Sequence, residues 1–100
     1  MKGHLDLLLI SVLRDGPAHG YAVITRLAER SHGHFDYPEG TVYPALHKLE
    51  TEGLVESTWS RDGGRKRRVY ALTAAGRAAL VERKKEWKLF ARGMEAVLAR

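Results

Sequence analysis

The cations of this chain are gathered in one place. Between residues 61 and 68 stand Arg61, Arg65, Lys66, Arg67 and Arg68 with a single acid, Asp62. That is a local +4 out of a net charge of +5 for all 100 residues. Cations at such density suit an anionic partner, either nucleic-acid phosphate or a membrane surface. The five histidines raise metal chemistry. His32 and His34 are two apart, and His4, His19 and His47 are scattered. No carboxylate joins them at ligand spacing, so they read as solvated side chains and no metal site is expected. The absence of cysteine removes disulfides, thiolate catalysis and iron–sulfur clusters. No serine nucleophile stands in recognisable order with a histidine and an acid, and no glycine-rich phosphate loop is present. Asp62-Gly63-Gly64 is turn chemistry. Neither an enzyme nor a cofactor is expected.

The elements that must position these cations follow from periodicity. One hundred residues make one domain with a thin core, which leaves room for a partner chain. Leu5, Leu8, Leu9, Val12 and Leu13 repeat at helical spacing. Leu7 and Ile10 add a second apolar face, which a second subunit is expected to cover. Asp15-Gly16-Pro17 ends this helix. A second helix is expected over residues 20–30, with Tyr21, Ile24, Leu27 and Ala28 on one face. Pro38 opens a third, running to about residue 52. Its apolar stripe is Val42, Ala45, Leu46 and Leu49; its other face carries Thr41, Tyr43, His47, Lys48 and Thr51. Pro44 cannot donate to the Gly40 carbonyl, so the regular helix should start close to Gly40.

The period then changes to two. Residues 54–60 and 65–73 read as strands around a turn at residues 61–64, with Trp59 packing within the hairpin. Thr73 caps a final helix over residues 74–99, roughly 39 Å long. Leu80, Trp87 and Met94 lie seven apart on it, with Phe90 and Val97 between, a heptad-like seam interrupted by Arg83. Lys84, Lys85 and Lys88 read as solvent-facing charge. Asp6 interrupts the apolar run of residues 1–13 and no small-residue cleavage site follows it. No stretch approaches the roughly 20 apolar residues that span a bilayer, and a cytoplasmic protein is expected.

A helix pair with a polar, aromatic-bearing face on its second member, followed by a basic two-stranded ribbon, has the layout of a helix-turn-helix with a wing. The fold expected is mainly α with a small β-hairpin. Residues 1–73 would form the winged DNA-binding domain and residues 74–100 a dimerisation helix. The rival reading is a winged-helix interaction module whose long helix binds another protein without DNA.

Three stretches resemble the PadR family of transcriptional regulators. They are His19-Gly20-Tyr21; Glu39-Gly40-Thr41-Val42-Tyr43-Pro44-Ala45-Leu46 with Lys48-Leu49-Glu50 and Glu52-Gly53-Leu54; and Gly64-Arg65-Lys66-Arg67-Arg68-Val69-Tyr70-Ala71-Leu72-Thr73 with Gly76. The resemblance implies a homodimeric winged-helix repressor that binds double-stranded DNA. It places Thr41, Tyr43, Pro44, His47 and Lys48 on a recognition face, Tyr21 against the DNA backbone, and Arg65, Lys66 and Arg67 on the wing. It implies a dimer in which the last helix (Leu80, Trp87, Phe90, Met94, Val97) meets the partner's first helix (Leu7, Ile10). It also implies that Trp87 and its mate flank a site for a planar aromatic effector; the plainer reading of Trp87 is an aromatic that closes the dimer.

Overall fold

The computed structural model describes residues 4–100; residues 1–3, the start of the segment weighed above as a leader, lie outside the described residues. Helix α1 (His4–Leu13) is the centre of the molecule. Leu9, Ile10, Val12 and Leu13 are all buried, which an almost wholly apolar helix achieves only when it is covered from several sides. Helices α2 (Gly20–Arg30) and α3 (Glu39–Thr51) supply part of that cover. The rest comes from strand β3 (Arg65–Leu72) and helix α4 (Ala74–Leu98) of the same chain. The expectation for Ile10 is therefore corrected: its side chain has no surface left for another subunit. Leu80 on α4 is buried in the same core and leaves the seam for the same reason. Leu5, Leu7 and Leu8 are only partly buried.

The sheet has one strand more than the sequence predicts. Strand β1 (Ala18–His19) pairs antiparallel with β3, which pairs antiparallel with β2 (Val55–Asp62), so the order is β1-β3-β2. The hairpin register runs from Val55↔Leu72 to Asp62↔Arg65. The turn is thus the two residues Gly63 and Gly64, with φ of +59° and +82°, rather than the four expected. A two-residue turn of this kind needs positive φ at both positions and matches the strand twist. Alternation puts Val55, Tyr70 and Leu72 into the core and continues the same face outward as Trp59, Lys66 and Arg68. Trp59 is exposed, with Lys66 Nζ 5.0 Å and Arg68 Cζ 5.2 Å from its ring centre.

Thr73 locks α4 to this frame. Its hydroxyl accepts from the Gly76 N–H at 3.0 Å and donates to the Gly53 carbonyl at 2.7 Å, while its own N–H donates to the Leu54 carbonyl at 3.1 Å. A Cβ on Gly76 would overlap that Leu54 carbonyl, so α4 approaches the sheet as closely as it does only with glycine there. Beyond Leu80, α4 runs out of the domain, and the molecule extends 57 Å along its longest axis. Trp87, Phe90, Met94 and Val97 stand exposed on that projecting part.

Candidate nucleic-acid interface

Helix α3 is oriented by its inward stripe. Val42, Leu46 and Leu49 are fully buried against the core, which turns Thr41, Tyr43, Pro44, His47, Lys48 and Thr51 to solvent. The helix begins at Glu39, with Pro38 as its first flanking residue. Pro44 offers no N–H to the Gly40 carbonyl, and both residues are exposed.

An open groove of about 840 Å³ lies between α3, the start of α2 and β3. Of the residues singled out in the sequence, it gathers Tyr21, Tyr43, His47, Arg65, Lys66 and Arg67. It adds His19, Glu39, Arg68 and Tyr70, to which the spacing had assigned no role. Thr41, Pro44 and Lys48 lie on the exposed side of α3 away from the groove lining. Lys48 Nζ is 3.1 Å from Asp6 Oδ2. A surface pair of this sort is worth at most about 1 kcal/mol, so a phosphate can draw the lysine away. His4, His32 and His34 do not line the groove. Among the described residues no three acids or histidines converge as a metal cluster would require.

Two hydrogen-bond links hold the wing, one to α3 and one to β1. Ser57 Oγ donates to Glu50 Oε2 at 2.6 Å and accepts from Arg68 Nε at 2.8 Å, joining α3, β2 and β3 in one chain. On the other face of the hairpin, Arg67 Nη1 lies 2.9 Å from His19 Nε2. Tyr43 is set by a third contact. Its ring edge lies so close over Gly20 that any Cβ there would fall into it. Burial, reinforced by the Glu39 carboxylate, raises the Tyr43 hydroxyl above the ordinary tyrosine range. Burial outweighs the lowering influence of Arg68 and raises Tyr70 as well. Both hydroxyls therefore stay protonated at neutral pH and can donate to an acceptor.

A helix pair that presents one exposed, aromatic-bearing helix beside a basic hairpin, on a core closed by a third helix and a short extra strand, is a winged helix-turn-helix. Residues 9–82 match the transcriptional regulator PadR-like family. A transcriptional regulator of Mycobacterium tuberculosis is 46% identical over 78 residues, covering 78% of this chain and 70% of that protein. A PadR family transcription regulator from Clostridium difficile has the same fold with a TM-score of 0.83 at 32% identity, across 96% of this chain and 99% of that one. The Bacillus subtilis PadR solved in complex with operator DNA aligns with a TM-score of 0.72 at 25% identity, across 78% of this chain and 45% of that one. The chain belongs to the PadR-like family of transcriptional regulators. It is a transcriptional regulator and not an enzyme. Among the described residues no helix is long and apolar enough to cross a membrane.

Proposed function

We propose that this chain is a homodimeric repressor acting in the cytoplasm, with residues 1–73 as its DNA-reading head and residues 74–100 as its dimerisation helix. The observation that carries this reading is the groove, in which Tyr21, Tyr43 and His47 face Arg65, Lys66 and Arg67. DNA takes the exposed face of α3 in its major groove: Tyr43 and Pro44 give apolar contact, and Thr41, His47 and Lys48 reach base edges or phosphates. The wing cations and Tyr21 grip the flanking backbone, which supplies affinity without reading sequence. A two-fold axis through paired α4 helices offers two recognition helices to grooves about 34–36 Å apart.

The wing is testable without knowing the operator. Arg65→Ala combined with Lys66→Ala is expected to weaken binding to every duplex by a similar factor. The slope of log affinity against log salt should shrink by about one to two units, since each phosphate contact contributes about 0.9. An unchanged slope would mean that the wing points away from DNA and would favour the interaction-module reading.

The effector half of the proposal rests on Trp87, which is 44% exposed on the projecting part of α4. An indole there and its symmetry mate offer two stacking walls to a planar aromatic compound. Titration with planar phenolic acids or dyes is expected to quench a tryptophan signal that Trp87→Phe removes and Trp59→Phe retains. Quenching that follows Trp59 instead would place the ligand on the wing.

A further inference from the structure

Trp59 stands outside the hydrophobic core and is 57% exposed. The strand register sets it opposite Arg68, with Arg61 opposite Lys66 on its outer side and Ser57 opposite Tyr70 on its inner side. Side chains alternate along a strand, so these residues share one face of the hairpin. Lys66 Nζ lies 5.0 Å and Arg68 Cζ 5.2 Å from the centre of the indole ring. Both are within the roughly 6 Å reach of cation–π attraction. Arg68 is held at a second point, because its Nε donates to Ser57 Oγ at 2.8 Å. Its Nη groups donate to no other described residue.

Both cations line the groove beside α3, and Trp59 does not. The ring stands on their far side, on the strand that β3 separates from β1. A long lysine or arginine side chain loses rotamer freedom when a phosphate fixes it, and that loss weakens binding. A ring that already holds the cation takes the loss at folding instead. Its electron-rich face also eases the repulsion among Arg61, Lys66 and Arg68, which the register brings together on one surface. We propose that Trp59 is a positioning residue for DNA binding: it orders Lys66 and Arg68 at the groove before the wing meets the phosphate backbone. A cation over a ring keeps its outward N–H groups for an oxyanion, so it serves ring and phosphate together. This rests on the DNA-binding reading above and deepens it, because affinity then depends on a side chain that need not touch DNA.

The test uses the full chain and a random-sequence duplex of about 30 base pairs. Trp59→Leu keeps an apolar side chain and the net charge but removes the ring. It is expected to lower duplex affinity about fivefold to thirtyfold, from the ordering of the two cations that binding must then supply. The slope of log affinity against log salt should stay within about half a unit of wild type, because the phosphate contacts are still made. Trp59→Phe restores a face that attracts cations and should bind within about threefold of wild type. In a chain carrying Lys66→Ala and Arg68→Ala, adding Trp59→Leu should cost less than about twofold, since no cation is left to position. An equal loss in both backgrounds would put the indole itself on the DNA and overturn the positioning role, as would full affinity in Trp59→Leu. A magnetic-resonance measurement on the free protein checks the contact without DNA. Protons over an aromatic face resonate upfield, so the Lys66 and Arg68 methylenes nearest their charges should be shifted upfield in wild type and Trp59→Phe but not in Trp59→Leu. Ordinary shifts in the wild type would overturn the contact and the role. Failure of the wild type to bind the duplex at low salt, with the upfield shifts present, would overturn the DNA-binding reading and the role that rests on it.

Discussion

Phe90→Asp is expected to convert the protein from dimer to folded monomer. Phe90 is 48% exposed in the protomer and sits between Trp87 and Met94 on the part of α4 that has left the domain. In the proposed dimer, the heptad spacing of Trp87 and Met94, with Phe90 and Val97 interleaved, makes the seam that the second chain covers. An aspartate in the middle of that seam would be buried without a partner. The core is untouched by the change, so helical content by circular dichroism should stay near wild type. Sedimentation at micromolar concentration should show about 11 kDa rather than twice that. Loss of the second head should cost DNA affinity on the order of a hundredfold or more, since two linked heads bind with a high effective concentration. A variant that remains a folded dimer would refute this seam. Leu80→Asp is no substitute for this experiment. Leu80 packs in the domain core, and a charge there would unfold the chain whether or not it dimerises.

The contrast between Phe90 and Leu80 shows what periodicity can and cannot disclose. Apolar residues at helical spacing mark a face that must be covered, but nothing in the spacing says which chain covers it. Leu80 and Ile10 read as dimer surface, yet folding α4 back onto α1 buries both within one protomer. The helices themselves were legible because long amphipathic stripes and strong punctuation agree. The expected span of α2 matches the observed Gly20–Arg30, and Thr73 does cap α4. Strand β1 was not legible. It is two residues long and owes its conformation to pairing with Val69 and Tyr70, some fifty positions away. The turn shifted because strand pairing persists through residues 61 and 62 until two glycines supply positive φ. In the groove, the cluster of wing cations was visible as composition, whereas the placing of His19 beside them was not. Its position between Ala22 and Arg67 arises from a strand pairing that no local pattern encodes.

Gly20 offers the sharpest separation of folding from function. It is buried at the start of α2, and the ring of Tyr43 lies where a side chain would go. Alanine suits a helix at least as well as glycine, so the backbone of α2 has no reason to object. The added methyl instead collides with a ring that is exposed on its other side and free to swing outward. Gly20→Ala is therefore expected to keep the thermal midpoint within a few degrees of wild type while displacing Tyr43 from the groove. Affinity for operator DNA should fall about tenfold to a hundredfold, the roughly 1–3 kcal/mol that one good base contact is worth. The same loss is expected from Tyr43→Ala alone. The double variant should then lose little more than either single one, because both remove the same contact and energies of touching residues do not add. Additive losses would mean that Gly20 acts on DNA binding by some route other than Tyr43. Unchanged affinity in Gly20→Ala, beside a clear loss in Tyr43→Ala, would show that the ring reaches DNA from a position other than the one it holds over Gly20.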